Sequence, residues 1–477
     1  MPDLKQASLL DISDRAVGDE RIALTGLDME FVVCEDGLRI PSPRRWRPVR
    51  TIPYREITHF APAAYGFWLG TRRDIMSYRR GRFRDPNGPE RLAEGISRAI
   101  ARQPRGMEQL ARISQIHGFA RRPTPQRVAR WFSLVCVLVY LVQYRDPFIE
   151  QVAVLNPLLV DAGQLWRIVS ANFLHGVSTF PVHLVFNVLG LLALSILVER
   201  PLGPLRTAVV MGASGIAAML SSYAVGHLPV MGASGIVMGL AGAALCLELH
   251  HCDRLPVWWR VPRRPFIVLL LIEAVMGFAL PFVAGEAHLG GFVAGYIAAR
   301  LMAGQAVMLR PPAAWIRRLA WGFAVLAGIA LLNVGTLVLR ESDALTRYAR
   351  QVLATPEVGP GIDNEIAWRM ATESDANVEQ LLAAQELAER AADRTEYGDP
   401  TILDTLAEVL FVRGDRDGAL RIIDQAIRLT RGEDYYVQQR RRYVGERAFD
   451  DRPAPPLPWA LRERELLDEL DPDGILI

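Results

Sequence analysis

Residues 182–198 read "VHLVFNVLGLLALSILV", an apolar run that contains the polar residues His183 and Asn187. A membrane-spanning helix needs roughly 20 mainly apolar residues, and this run is close to that length. Because residues four apart share one face of a helix, His183 and Asn187 project in the same direction. The run therefore predicts a transmembrane helix that presents two hydrogen-bonding side chains together.

Six further apolar runs surround this one. They cover 128–144, 207–226, 234–249, 265–283, 288–304 and 319–339. Of the 477 residues, 51% are hydrophobic and 22% are charged. This composition is too apolar for an ordinary soluble protein and too charged for a chain that lies entirely within the membrane. We expect an α-helical polytopic membrane protein with seven spans. The first six form a core at 126–306, and the seventh lies with a linker at 307–340.

The placement of arginines predicts the orientation of these spans. Arginines cluster before the first span, after the second, between the fourth and fifth, and between the sixth and seventh, whereas the loops "GHLPV" and "AGEA" carry none. The positive-inside rule then places the N-terminus in the cytoplasm and the C-terminus outside. The N-terminal stretch also lacks the pattern of a signal peptide. We expect a protein of a bacterial plasma (inner) membrane with an exterior, periplasmic C-terminal region.

Residues 1–125 form a polar region before the spans. Short β-like runs alternate with turns between 20 and 83, and "PERLAEGISRAIARQ" then shows helical spacing and a proline start. Several strands followed by a helix resemble a small pleckstrin-homology (PH)-like domain. An unspecified α+β domain fits the pattern equally well, so both interpretations stay open for this cytoplasmic region.

Residues 341–477 form a second polar region, which the pattern predicts to be helical. Within 403–429, the small residues Ala407, Ala419 and Ala426 fall where two antiparallel helices would cross, a spacing that resembles a tetratricopeptide repeat (TPR). The preceding segment resembles a degenerate earlier copy, and a plain helical hairpin is the alternative. Because two repeats are few for a stable solenoid, we expect this region to lean on another part of the protein. A protein or peptide partner is a hypothesis that follows from the repeat.

Two copies of the pentapeptide "MGASG", at 211–215 and 231–235, each place a serine in an apolar run. The second copy follows a loop with proline and glycine, so Ser234 begins its helix, whereas Ser214 lies in mid-helix. N–H groups at the start of a helix are unpaired and stabilise negative charge. At about 1.5 Å per residue, Ser234 and His288 lie roughly 22 and 18 Å above the cytoplasmic edge, and are thus nearly level. This predicts chemistry at Ser234 and close packing at Ser214.

The residue types at this level favour nucleophilic catalysis. Ser234 is the expected nucleophile and His288 its general base. His183, Asn187 and the backbone N–H of Ser234 form the expected oxyanion hole. Together they would carry out acyl transfer from within the membrane.

The same side chains also have structural interpretations. His183 and Asn187 could instead bond neighbouring helices, and His288 could make a structural hydrogen bond between helices. No aspartate lies in a span at this depth, so we expect a dyad rather than a triad. Glu273 and Glu286 are the nearest acids, and Glu286 is expected to be solvated in its loop.

Over about 126–306 the motifs together resemble the rhomboid family of intramembrane serine proteases. "GASG" resembles the family's GxSG nucleophile motif, "HLGGFVAG" its AHxxGxxxG motif, and "HLVFN" its HxxxN motif. The first loop, "LWRIVSANFLHG", resembles the WR and FxH elements through Trp166, Arg167, Phe173 and His175. Positions with an expected structural or packing role are Gly232, Gly235, Gly291, Gly295, Trp166, Arg167 and Glu199.

The resemblance implies a six-helix rhomboid core with one added helix. It implies a serine endopeptidase that hydrolyses peptide bonds in or near transmembrane helices of other membrane proteins, within the lipid bilayer. The alternative is a catalytically inactive rhomboid-like protein that binds and routes membrane clients. A transporter is less favoured, because the spans hold scattered polar groups at one depth. One departure from the family is Met238, where many members have an aromatic ring against the catalytic histidine.

Charge and cysteine content exclude other classes of function. The net charge of +2 argues against a nucleic-acid partner. The four cysteines form no CxxC pair, which argues against a zinc site or a disulfide framework. We expect neither a metal nor a cofactor.

Overall fold

The structure is a computed structural model of the whole chain. It describes residues 20–25, 29–41, 49–121, 126–146, 148–176, 181–226, 230–279, 284–339, 342–372 and 376–454. Three regions follow one another: a small region of strands and helices, a bundle of long apolar helices, and a helical C-terminal region.

The N-terminal region combines two antiparallel sheets with two helices. The strands are β1 Glu20–Ala23, β2 Glu30–Val33, β3 Gly37–Ile40, β4 Arg50–Pro53, β5 Ile57–Ala63, β6 Gly66–Thr71 and β7 Ile75–Arg79. Strands β1 to β4 pair in sequence order in one sheet, and β5 to β7 pair in the other. Helices α1 (Gly88–Ala101) and α2 (Gly106–Ala120) follow, and α1 packs on a shared apolar core around Phe31, Phe67 and Leu92. A small sheet domain is therefore present, whereas its PH-like nature stays a prediction.

Each apolar run of the sequence coincides with a helix, and the end of the fifth run, 280–283, lies outside the described residues. The helices are α3 Arg127–Arg145, α7 Val182–Leu202, α8 Pro204–Val225, α9 Ser234–His251, α10 Arg263–Ala279, α11 Gly285–Val307 and α12 Ala314–Val338. Short helices between α3 and α7 are α4 Phe148–Ala153, α5 Pro157–Asp161 and α6 Arg167–Ser170. The helical, polytopic character of the protein is thereby confirmed.

Five segments in the described part of the chain are long and apolar enough to cross a membrane. They are Arg127–Arg145, Val182–Leu202, Pro204–Val225, Ser234–Arg254 and Ala314–Val338. Helices α10 and α11 occupy the other two predicted spans with 17 and 23 residues. The protein is a multi-pass membrane protein, and the count of seven spans remains a prediction.

The C-terminal region is a stack of helices. They are α13 Ser342–Leu353, α14 Pro360–Ala371, α15 Val378–Arg394, α16 Pro400–Val412, α17 Arg416–Leu429 and α18 Asp434–Val444. Ala407, Ala419 and Ala426 are fully buried, as expected for small residues at the crossing of α16 and α17. The assignment of these hairpins to TPR repeats stays a prediction.

The C-terminal region shares its apolar core with the segment between α3 and α7. Phe148, Val152 and Leu159 of that segment belong to the same buried cluster as Tyr348 and the core of α14 to α17. Arg369 on α14 also pairs with Asp146, just after α3, at 2.5 Å. The expected support for a short helical stack therefore comes from the first loop of the membrane bundle.

The N-terminal region contacts the other end of the bundle. Arg260, between α9 and α10, donates to the carbonyl of Thr71 on β6 at 2.7 Å and pairs with Glu248 near the end of α9 at 2.7 Å. At the other end of α9, Val230 bridges to Leu155 of the first loop. Because α9 spans roughly 27 Å at 1.5 Å per residue, the two polar regions contact opposite ends of the bundle.

Candidate active site

Ser234 is the first residue of α9, at the end of a loop that the first-loop segment holds in place. Val230 and Leu155 exchange two backbone hydrogen bonds of 3.0 Å, and the N–H of Gly232 donates to the carbonyl of Ala171 at 2.9 Å. Gly232 has φ +121°, which favours glycine. The loop therefore enters the helix in a fixed conformation, with the N–H of Ser234 at the helix start where α9 supplies no acceptor.

His288 faces Ser234 from the first turn of α11. Its Nε2 lies 2.8 Å from Ser234 Oγ, a hydrogen-bond distance. The side chain of His288 is 15% exposed. The structure thus brings together the two residues that the sequence analysis paired as nucleophile and base.

Glycines hold α9 and α11 in this close contact. A Cβ atom on Gly291 would lie 2.1 Å from the carbonyl oxygen of Gly235, and one on Gly295 would lie 2.0 Å from that of Gly239. Any side chain there would push the two helices apart. The glycines of the two motifs therefore set the separation between Ser234 and His288.

His183 and Asn187 project from α7 toward the loop before Ser234. A Cβ on Gly232 would lie 2.8 Å from His183 Nε2 and 3.9 Å from Asn187 Nδ2. Asn187 is buried, and its Nδ2 donates to the carbonyl of His183 at 2.9 Å, which orients the amide. Both side chains therefore lie beside the backbone of the serine loop.

Ser214 lies in the middle of α8 and is fully buried. A Cβ on Gly239 would lie 1.9 Å from its Oγ, so Ser214 packs directly over that glycine of α9. The first "MGASG" copy therefore occupies a helix–helix contact and does not face His288.

The first-loop motif residues have structural contacts. Arg167 is fully buried and donates to Gln164 Oε1, to two backbone carbonyls and to the hydroxyl of Tyr348 on α13, the last at 2.7 Å. Trp166 is half-buried and packs against the C-terminal core. The WR element therefore links the first loop to the C-terminal region.

Two other motif elements also bond within the bundle. His175 is fully buried, and its ring centroid lies 5.1 Å from that of His183. Glu199, near the end of α7, accepts hydrogen bonds from the backbone N–H groups of Arg127 and Val128 at 2.8 and 3.1 Å. Glu199 thereby caps the first helix of the bundle, where a carboxylate also complements the helix dipole.

The two acids near the site have contacts that the sequence analysis missed. Glu273 on α10 places Oε1 2.5 Å from Nδ1 of His288. The expectation that Glu286 is solvated in its loop is wrong, because it lies in the first turn of α11, half-buried, and accepts a 2.7 Å hydrogen bond from Ser222 Oγ. Sequence spacing alone does not show which face of α10 turns toward α11.

In the part of the chain that the structure describes, no three His, Cys, Asp or Glu side chains gather as a metal site.

Residues 162–305 match the rhomboid domain family. Over 142 residues the chain is 32% identical to "Rhomboid protease GluP" of Bacillus subtilis, which covers 30% of this chain and 27% of that protein. It is 29% identical over 175 residues to "RHOMBOID-like protein 5" of Arabidopsis thaliana, covering 35% and 51% of the two chains. It is also 30% identical over 142 residues to "Inactive RHOMBOID-like protein 8" of the same plant, covering 28% and 37%.

The chain therefore spans between about a quarter and a half of the length of these relatives. The matched segment contains the serine loop, both glycine motifs and the two polar residues of α7. By this match, residues 162–305 of the chain form a rhomboid domain.

Proposed function

We propose that this protein is an active intramembrane serine endopeptidase. It hydrolyses peptide bonds in or near transmembrane helices of other membrane proteins, with Ser234 as nucleophile and His288 as general base. The observation that carries the proposal is the 2.8 Å separation of His288 Nε2 and Ser234 Oγ at the start of a helix. A serine hydroxyl needs an adjacent base of this kind to act as a nucleophile.

The reaction follows from this arrangement. Ser234 Oγ attacks the carbonyl carbon of the scissile bond while its proton passes to His288 Nε2. The C–N bond then breaks, the proton moves to the leaving nitrogen, and an acyl-enzyme ester remains. Water hydrolyses the ester with His288 again accepting the proton, which restores the free serine.

The carbonyl oxygen that becomes negatively charged during the attack needs hydrogen-bond donors that point at it. The backbone N–H of Ser234, His183 and Asn187 are placed beside the serine loop and act in this role. A donor of this kind contributes about 10²- to 10³-fold to kcat in serine proteases.

The topology and the flanking regions complete the proposal. The arginine pattern supports an N-terminal cytoplasmic domain at 1–125, a core at 126–306, a seventh span at 307–340 and an exterior domain at 341–477, in a bacterial plasma (inner) membrane. The N-terminal region contacts the far end of α9, whereas the first loop, which shares a core with the C-terminal region, contacts the start of α9; this supports a placement of the two regions on opposite sides of the membrane. The exterior helical stack would hold a protein partner if its hairpins are TPR repeats.

An inactive rhomboid-like function is the second candidate, because one relative of 30% identity is named as inactive. In that case the serine and histidine would only pack, and the protein would bind membrane clients without cleaving them.

The test is cleavage of single-span test substrates by the purified protein in lipid vesicles. Ser234→Ala and His288→Ala should abolish product, whereas Ser214→Ala, which removes the hydroxyl of an identical pentapeptide, should leave cleavage within about 3-fold of the unmutated protein. Product formed by Ser234→Ala would overturn the nucleophile assignment. If the unmutated protein cleaves none of several substrates and its Ser234 is not labelled by a fluorophosphonate, the inactive alternative holds.

A further inference from the structure

Glu273 is an acidic residue in the middle of an apolar helix. Helix α10 reads "RRPFIVLLLIEAVMGFA", and Glu273 is its one acidic residue. A carboxylate at the centre of a membrane helix costs about 2.5–3.5 kcal/mol on insertion scales. Such a residue is expected to face a polar partner rather than lipid. The side chain of Glu273 is 30% exposed, so neighbouring residues cover most of its surface.

A glycine contact brings α10 against the start of α11. A Cβ on Gly277 would lie 2.9 Å from Cα of Gly285, and one on Gly285 would lie 2.8 Å from the carbonyl oxygen of Gly277. Glu273 lies one helical turn before Gly277, and His288 lies about one turn after Gly285. In this antiparallel pair the two side chains are therefore level, on the sides of the helices that meet.

The side chains meet at the ring nitrogen that Ser234 does not use. Glu273 Oε1 lies 2.5 Å from His288 Nδ1, whereas Ser234 Oγ lies 2.8 Å from Nε2. The carboxylate oxygen lies off the axis of the Nδ1–H bond, so that nitrogen has no aligned hydrogen bond in the described structure. Hydrogen bonds at catalytic sites are often misaligned without substrate and tighten in the complex.

Other polar groups near His288 have different partners. Glu286 is bonded to Ser222, and Asn187 donates to the carbonyl of His183. Glu273 is therefore the carboxylate that the geometry provides for Nδ1.

We propose that Glu273 is a positioning residue for His288, so that the reaction uses a Glu273–His288–Ser234 chain. Its carboxylate accepts the Nδ1–H bond and thereby selects the tautomer whose Nε2 is free to accept the serine proton. When that proton arrives, Glu273 remains ionised and stabilises the imidazolium through its negative charge. This inference rests on the proposed function, because it assigns a role in the same reaction.

The inference differs from a purely structural tether between α10 and α11. Glutamine at 273 keeps the shape of the side chain and an oxygen that can accept the Nδ1–H bond, but it removes the charge. A tether would survive Glu273→Gln, whereas stabilisation of an imidazolium would not. Aspartate restores the charge on a side chain one methylene shorter.

The experiment compares initial rates of substrate cleavage in vesicles for the unmutated protein, Glu273→Gln, Glu273→Asp and the matched acid-to-amide control Glu286→Gln. We expect Glu273→Gln to lower kcat about 10- to 100-fold with KM within about 2-fold, below the loss for a fully buried triad acid because Glu273 is partly exposed. Glu273→Asp should recover part of the loss, and Glu286→Gln should stay within about 3-fold of the unmutated protein. The rate of fluorophosphonate labelling of Ser234 should fall in parallel with kcat.

A second variant reaches the same contact without changing the carboxylate. Gly277→Ala adds a methyl group that meets Gly285, so it should separate Glu273 from His288 and lower kcat in the same way. Unchanged kcat in Glu273→Gln, or equal losses in Glu273→Gln and Glu286→Gln, would overturn the inference. Those outcomes leave cleavage that depends on Ser234 intact, so they are distinguishable from failure of the proposed function, in which the unmutated protein has neither cleavage nor labelling.

Discussion

Replacement of Gly295 by alanine should disable the site from two helical turns away. The added Cβ would lie 2.0 Å from the carbonyl oxygen of Gly239 and 2.6 Å from its Cα. Both atoms belong to backbone inside α9, so no side-chain rotation relieves the contact. Helices α9 and α11 must separate instead.

The size of the separation follows from these distances. Ordinary contact begins at 3.4 Å, so the helices must move apart by about 1.4 Å near Gly295. If α11 moves as a rigid element, the 2.8 Å separation of Ser234 Oγ and His288 Nε2 grows to about 4 Å, beyond hydrogen-bond distance. Misplacement of catalytic groups by about 1 Å costs on the order of 10²-fold in rate.

The assay measures kcat/KM for a single-span substrate and the thermal unfolding midpoint of the same preparation in detergent. Gly295→Ala should lower kcat/KM at least about 100-fold and lower the midpoint, since overpacking of this kind costs about 1–3 kcal/mol. The matched control is Gly304→Ala on the same helix, where the new methyl would meet only His251 Cε1 at 3.9 Å. Cleavage by Gly295→Ala within about 3-fold of the control would refute the claim that glycine contact sets the site.

Two further predictions concern the contact of the N-terminal region with the bundle. Burial lowers the pKa of His59 to about 3 from its ordinary 6.5, with contributions from His117 and Arg260. The folded state therefore binds fewer protons than the unfolded state below pH 6.5. The contribution of neutral His59 to the free energy of unfolding is complete above pH 6.5 and falls by up to about 1.4 kcal/mol per pH unit from there toward pH 3. The unfolding midpoints at pH 7.5 and 5.0 should differ less in His59→Leu than in the unmutated protein, and equal differences would contradict this. Arg260→Met should lower the midpoint by the equivalent of about 3 kcal/mol, because it leaves Glu248 buried with only the partly exposed Arg263 as partner. The double variant with Glu248→Leu should recover part of that loss, and a double variant no more stable than the single one would argue against a buried charge as the cause.

Much of the membrane bundle is predictable from sequence because bilayer helices follow length and composition. In the described part of the chain each of the seven apolar runs coincides with a helix, and the predicted start of the fourth run at Ser234 is the first residue of α9. The pairing of Ser234 with His288 also followed from counting residues along two helices, since the rise per residue is fixed. The structure places these two groups 2.8 Å apart, and their catalytic role remains a proposal.

The contacts that sequence analysis missed depend on rotation and docking rather than on depth. The sequence indicates Glu273 as a nearby acid, whereas the structure shows, through the Gly277–Gly285 contact, that its face of α10 turns toward His288. The motif predicts a structural role for Arg167, but it does not show that Arg167 donates a hydrogen bond to Tyr348, 181 residues further along the chain. Neither contact leaves a periodic pattern, because each arises where separate elements happen to meet.

The two "MGASG" copies have different structural roles, and both involve helix α9. Ser234 of the second copy begins α9, whereas Ser214 of the first packs over Gly239, about one and a half turns further along α9. Helix α9 therefore receives α8 and α11 against its glycines. Its far end is fixed by Glu248 and Arg260 beneath the N-terminal region. A nucleophile on a helix that is packed on several sides is already held near its reactive geometry, so it loses little entropy in the reaction. Such packing also positions the nucleophile to within a fraction of an ångström. The buried Ser214 thus contributes to the proposed chemistry of Ser234 by packing, and its replacement by a larger residue, unlike Ser214→Ala, should displace α9 and impair cleavage.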